Sequence, residues 1–229
     1  HANTYTDTSL AASGTGLSNY TISYVTGSLT VNPASLTATV TPSLTTYNGS
    51  NVIANTTVLT GVVSGTSVSS TTSLTINGTN AGLQTIINNG STLTGPNASD
   101  YIIVNSSLSN NGVNGVTPIN SGGVNGNFGG TILIAKAPLT VSGTKVYDGT
   151  GTITYLNMVV SGAQNGEKIS LTSGTALTSS PNAGSYVGTS INNLAIAVSG
   201  GSALSSNYQL PSSGSFNVSP APVTNAGKV

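Results

Sequence analysis

The sequence contains no cysteine, no tryptophan and no arginine, and charged residues make up only 3% of its 229 positions. Without cysteine there can be neither a disulfide nor a thiolate metal site. Charge is confined to Asp7, Asp100, Asp148 and Glu167 against Lys136, Lys145, Lys168 and Lys228, so the formal net charge is zero. An ordinary globular chain carries about 25% charged residues. Nucleic acid is excluded as a partner, because phosphate recognition needs a cluster of Lys or Arg. Docking on an anionic membrane is excluded for the same reason. No apolar run approaches the roughly 20 residues needed to span a bilayer, so direct membrane insertion is not expected. Helix signals are nearly absent as well: β-branched residues dominate, and no segment sustains a 3.6-residue apolar period.

The sequence is rich in Ser, Thr, Asn and Gly, interrupted by alternating Val, Ile, Leu and Tyr that a disordered linker would not need. It also repeats itself. Ile134-Ala-Lys136-Ala-Pro138-Leu139-Thr140 recurs as Val31-Asn-Pro33-Ala34-Ser35-Leu36-Thr37 and Val218-Ser-Pro220-Ala221-Pro222-Val223-Thr224. Lys145-Val-Tyr147-Asp148-Gly149-Thr150 recurs as Tyr47-Asn48-Gly49-Ser50, where Asn or Asp with Gly supplies the positive φ of a tight turn. Gly61 and Gly65 match Gly162 and Gly166, and Ser-Asn/Asp-Tyr ends at Tyr20, Tyr101 and Tyr208. Such periodicity marks a tandem array.

These matches divide the chain into the C-terminal part of a repeat (1–34), a complete repeat (35–137), a second complete repeat (138–221) and the first strand of a following one (222–229). Read this way, the chain starts inside one module and stops early in another; either it is a piece of a longer array, or neighbouring chains complete the open modules. Leu36, Ala38 and Val40 alternate with threonines as a half-buried strand should. The first complete repeat carries about 23 extra residues: Tyr101 to Ile134 spans 33 positions, against 10 from Tyr208 to Val218. This insertion, near 105–127, reads as an extra hairpin or long loop, the place where binding function most often sits on a repeated scaffold. About seven short strands in the second complete repeat indicate all-β modules, with an immunoglobulin-like β-sandwich as first expectation and a β-grasp form as the alternative.

The Lys-Val-Tyr-Asp-Gly-Thr turn, the Ser-Asn-Tyr…Leu29-Thr30-Val31 close and the Ala-Pro-Leu-Thr junction together resemble the YDG and MBG repeat modules of large bacterial surface adhesins, including two-partner-secretion, filamentous haemagglutinin-like proteins. The first repeat departs from the pattern, with Asn48 in place of Asp and with the inserted segment. The resemblance implies a secreted, non-enzymatic, stalk-like protein at a cell surface or in an extracellular matrix, and it supplies no catalytic residues.

The residues themselves give no catalytic, cofactor or metal site to name. The four acids are dispersed, His1 is the only histidine, and no loop holds several carboxylates. Asp148 fits a turn-capping role, and an isopeptide from Lys145 would need a buried acid beside a Lys–Asn pair. Tyr20, Tyr101 and Tyr208, with Tyr47 and Tyr147, read as core or corner residues whose hydroxyls bond backbone. Pro33, Pro138 and Pro222 stiffen the module junctions. Asn-x-Ser/Thr sequons include Asn19, Asn55, Asn77 and Asn97, which are candidate glycosylation sites. The expected partners are neighbouring modules of the same or adjacent chains, with a glycan or a host or bacterial surface as a further candidate through the insertion. Two functional alternatives to a stalk remain: a filament subunit joined by strand exchange, and a glycan- or protein-binding module.

Overall fold

The structure, a computed structural model, describes residues 1–109, 116–119, 128–201 and 204–224. It is all-β and sandwich-like; no α-helix occurs among the described residues, so the helix a β-grasp requires is not found there. The chain forms two compact units. One comprises His1–Ser43, Ile53–Thr75 and Ile86–Gly130; the other comprises Leu44–Val52, Ile76–Thr85 and Thr131–Val229. Three stretches of the first complete repeat, Leu44–Val52, Ile76–Thr85 and residues 131–137, thus belong to the same unit as the second repeat, an assignment that linear division by motif does not anticipate.

In the first unit, β1 (Asn3–Asp7) pairs antiparallel with β2 (Gly27–Val31), and all ten residues are exposed. Leu29 and Val31 therefore lie open, and Tyr20 is 74% exposed rather than a core residue. The described residues provide no strand beside Tyr20 of the kind that covers Tyr101 and Tyr208. β3 (Ala34–Pro42) is the spine of this unit. Leu36, Ala38 and Val40 are fully buried and the intervening threonines are half-exposed, as the period of two requires. Each such aliphatic burial contributes about 1.5–3 kcal/mol for a side chain of Val or Leu size. After β4 (Val52–Ile53), β5 (Asn55–Thr60) runs antiparallel to β3 on one side. Next come β6 (Ser69–Ile76) and β7 (Gly82–Thr94), and then β8 (Tyr101–Leu108) lies parallel to β3 on the other side. With β9 (Val116–Ile119) and β10 (Gly129–Ile134), a five-stranded sheet has the order β4-β6-β7-β10-β9. Leu133 is 49% exposed.

In the second unit, β11 (Ala137–Pro138) continues into β12 (Thr140–Val146), followed by β13 (Thr152–Thr154), β14 (Met158–Ser161), β15 (Lys168–Leu177) and β16 (Gly184–Ser199). The unit's last strands are β17 (Tyr208–Gln209) and β18 (Ser213–Ser219). Six of these form one sheet, in the order β13-β15-β16-β18-β12-β14, enclosing Val141, Ile153, Met158, Ala176, Ile191 and Phe216. β12 is antiparallel to β14 and parallel to β18, the same arrangement that β3 has with β5 and β8.

The repeat is therefore structural, residue by residue. Ala34 pairs with Tyr101, and Ala137 with Tyr208. A 3-10 turn, Ala98–Asp100 or Ser205–Asn207, precedes each tyrosine, and Leu17–Asn19 precedes Tyr20. The insertion interrupts the closing strand. β18 passes uninterrupted from Ser215, opposite Ser142, to Ser219, opposite Val146. In the first repeat Asn105–Leu108 serve the opening half of that role beside β3, while Ala135 bridges Thr46 at the other end. The extra chain thus enters after Leu108, and most of it lies outside the described residues.

Gly61 and Gly162 mark equivalent close approaches. A Cβ at Gly162 would meet the Pro138 carbonyl oxygen at 2.7 Å, and one at Gly61 the Ser35 carbonyl oxygen at 2.8 Å, with φ of +110° and +96°. Either residue changed to alanine is expected to cost about 1–3 kcal/mol through backbone strain and displacement of the neighbouring strand. Gly129→Ala, with an ordinary φ and open space around it, serves as the control in the same denaturation measurement.

Candidate functional site

The densest polar chemistry lies in the second unit, around Glu167. This carboxylate follows the Gly162–Gly166 turn, in which Glu167 N–H donates to the Gln164 carbonyl, and immediately precedes β15. The turn holds Asn165 at φ 51°, and Gly166 is also left-handed. Glu167 is 4% exposed. A buried carboxylate is tolerated only if donors replace its water. Here the Tyr208 hydroxyl donates to Oε2 at 2.7 Å, and the Tyr47 hydroxyl to Oε1 at 2.5 Å. The two rings meet edge to face, their centroids 5.5 Å apart. Tyr208 also accepts the Gln164 N–H at 2.9 Å.

Tyr47 reaches this pocket from the turn after β3, its own N–H donating to the Ala135 carbonyl. Asn48 closes the turn by accepting the Ser50 N–H, and Gly49 takes φ 75°. Gly49 has a second reason to lack a side chain: a Cβ there would lie 2.4 Å from the Asn165 side chain. Beside this contact, Asn207 is fully buried and accepts the Ala81 N–H at 3.0 Å, while its amide donates to Asn80 Oδ1 at 3.1 Å. Tyr47, Gly49, Asn80 and Ala81 come from the first repeat; Asn165, Glu167, Asn207 and Tyr208 come from the second.

The sequence reading of Tyr101 and Tyr208 as corner residues agrees with their geometry. Tyr101 accepts the Val63 N–H at 3.1 Å, as Tyr208 accepts that of Gln164, and it bonds Thr66, the counterpart of Glu167. Tyr47 differs from that expectation, since its hydroxyl goes to a carboxylate instead of backbone. Tyr147 differs more, being 40% exposed. Glu167 went unrecognised in the sequence as a site residue because its partners lie 41 and 120 positions away.

The Tyr-Asp-Gly turn has its own clamp. Lys145 occupies a buried position on β12 and its ammonium donates to Asp148 Oδ1 at 2.7 Å, to the Thr150 carbonyl at 2.7 Å and to the Thr152 carbonyl at 2.9 Å. Asp148 also accepts the Thr150 N–H, and Gly149 sits at φ 81°. The Lys145 ammonium, followed by the Thr150 hydrogen bonds, holds the Asp148 carboxyl down at about 2. Both clamp residues are absent from the first repeat, where Thr45 and Asn48 stand in their places. The acid near Lys145 is an exposed aspartate rather than a buried one beside an asparagine, so the isopeptide arrangement is not assembled.

Burial, and then the hydrogen bond to Glu167, push the Tyr47 hydroxyl up to about 12; burial pushes Tyr208 in the same direction. Because the folded value lies above the unfolded one, the stabilising contribution is complete below pH 10 and is lost as pH rises through about 12. Alkaline titration followed by tyrosinate absorbance and circular dichroism should show the last tyrosines ionising together with loss of strand signal. Tyr47→Phe should shift that loss.

The candidate sequons are unequally placed. Asn19 lies exposed in its 3-10 turn, whereas the Asn55 amide donates to the Ile53 and Thr72 carbonyls. Asn77 accepts the Thr85 N–H and Asn97 the Ser67 N–H. No group of three or more potential metal ligands occurs among the described residues. A groove of about 620 Å³ beside Tyr101, lined by Asn88, Ser91, Thr92, Leu93 and Ile102, is uncharged.

The chain is thus an all-β repeat protein in which the turn of the first repeat, at Tyr47, enters the second. Residues 135–215 match the YDG domain, so the second repeat contains a YDG domain. No curated protein and no solved structure matches the chain.

Proposed function

We propose that this chain is a non-enzymatic stalk segment of a secreted bacterial surface or matrix adhesin, whose β modules extend a binding tip. The observation carrying the proposal is that the only acid between Asp148 and the C-terminus, Glu167, is buried and fully engaged in joining the Tyr47 turn to the YDG domain. A polar, uncharged surface suits a spacer that must avoid adhering by charge. The partners are then neighbouring modules, and adhesion to a glycan or host protein belongs to other parts of the array or to the insertion.

A second reading, a filament subunit joined by strand exchange, draws support from the open apolar side chains of Tyr20, Leu29 and Val31. Light scattering with small-angle X-ray scattering on the 229-residue chain separates the two readings. A monomer with an elongated profile at all concentrations is the stalk result. Linear polymers that grow with concentration, and vanish when residues 221–229 are deleted, would replace it with the filament.

A further inference from the structure

The face carried by Tyr147, Gly149, Asn182 and Ala183 is the counterpart of one that is already occupied within this chain. Tyr147 N–H donates to the Ser219 carbonyl as Tyr47 N–H does to that of Ala135. Asp148 receives the Thr150 N–H as Asn48 receives that of Ser50. Gly149 and Gly49 share the left-handed conformation. Asn182-Ala183 corresponds to Asn80-Ala81, and also to His1-Ala2: Tyr186 donates to the Asn182 carbonyl as Tyr5 donates to that of His1.

The occupied cases follow one rule. Ala2 N–H donates to Asp100 Oδ1 at 2.7 Å in the first unit, and Ala81 N–H donates to Asn207 Oδ1 at 3.0 Å in the second. In both, the acceptor is the Asn or Asp of the Ser-Asx-Tyr turn one repeat later. At the third position the same groups lie open. Tyr147 is 40% exposed where Tyr47 is 1%. A Cβ on Gly149 would meet nothing within 4 Å, where one on Gly49 would strike Asn165. Ala183 N–H has no hydrogen-bond partner among the described residues.

We propose that this face is a docking site for a further module of the same type, one that presents a Ser-Asx-Tyr turn and a Gly-x-x-x-Gly turn ending in a hydrogen-bond acceptor. Tyr147 inserts beside that module's tyrosine and acceptor, and Ala183 N–H donates to its Asx side chain. The proposal rests on the tandem reading above and adds the chemistry of the junction. Specificity comes from shape and from the hydrogen bonds of Tyr147 and the Ala183 N–H.

The test uses the full chain beside an extended one in which Ala137–Pro220 is repeated directly after Pro220, bringing added copies of Asn165, Glu167, Asn207 and Tyr208. Hydrogen exchange of the Ala183 amide is expected to slow at least about tenfold in the extended chain. Tyr147→Ala should then lower the unfolding temperature of the extended chain by about as much as Tyr47→Ala does, while barely changing that of the parent. If the added copy folds, shown by protected core amides, yet Ala183 exchanges equally fast in both chains, the docking site is overturned and a flexibly linked stalk remains. If the added copy does not fold there at all, both the docking site and the tandem reading fall, because the same segment folds beside Tyr47.

Discussion

Tyr47→Ala is expected to destabilise the second unit by about 3–5 kcal/mol, the range for deleting a fully buried aromatic ring. The side chain is 1% exposed, packs edge-on against Tyr208 and donates to Glu167. Its loss removes ring burial and one of the donors that make a buried carboxylate tolerable, two costs that act in the same direction. Tyr47→Phe isolates the second and should cost about 1–3 kcal/mol. Tyr147→Ala, at the equivalent turn, should cost less than about 1 kcal/mol because little burial is lost. Urea denaturation of the three variants checks the ordering; equal costs at Tyr47 and Tyr147 would mean that Tyr47 does not couple the repeats.

Lys145→Ala should destabilise the YDG domain by about 2–4 kcal/mol. The ammonium is the shared donor to Asp148 and to the Thr150 and Thr152 carbonyls, so removing it leaves several acceptors without their partner. Lys145→Met keeps most of the buried stem and should recover the packing part of the loss but not the polar part. The clamp also fixes an acid limit. Asp148 is held at about 2, below the ordinary carboxylate value, so its contribution is present above that ordinary value and disappears as pH falls through about 2. In Lys145→Met the Asp148 carboxyl should titrate closer to the ordinary value, which carboxyl carbon resonances report directly. An unmoved titration would show that the Thr150 contacts, not the ammonium, hold Asp148 down.

The first repeat shows how the same turn survives without the clamp. Thr45 and Asn48 lack the ion pair, yet Asn48 keeps the hydrogen bond from Ser50 and Gly49 keeps its left-handed backbone. That turn is instead covered by the Glu167 pocket. The turn itself depends on the Asx acceptor and Gly, while Lys145–Asp148 strengthens a copy whose tyrosine is exposed.

The sequence by itself determined the all-β class, the repeat and the chemistry of its turns. These are properties of neighbours along the chain: the period of two in Leu36, Ala38 and Val40, the positive φ at Gly49 and Gly149, and the short turn before Tyr101 and Tyr208. Repetition made them easier to see, because each signal occurs at least twice. Only the tertiary structure decided which copy of a motif is buried. Tyr47 and Tyr147 share a local sequence pattern, and what distinguishes them is a carboxylate 120 residues from Tyr47. Likewise Tyr20 carries the same Ser-Asn-Tyr signal as Tyr208 but has no strand beside it among the described residues, so it lies open. The insertion near 105–127 was legible from spacing, but that it splits the closing strand after Leu108 was not, because the two halves are recognised by what they pair with, Val40 on one side and Thr46 on the other. Local preference selects the element; burial and partnership are set by residues far away in sequence.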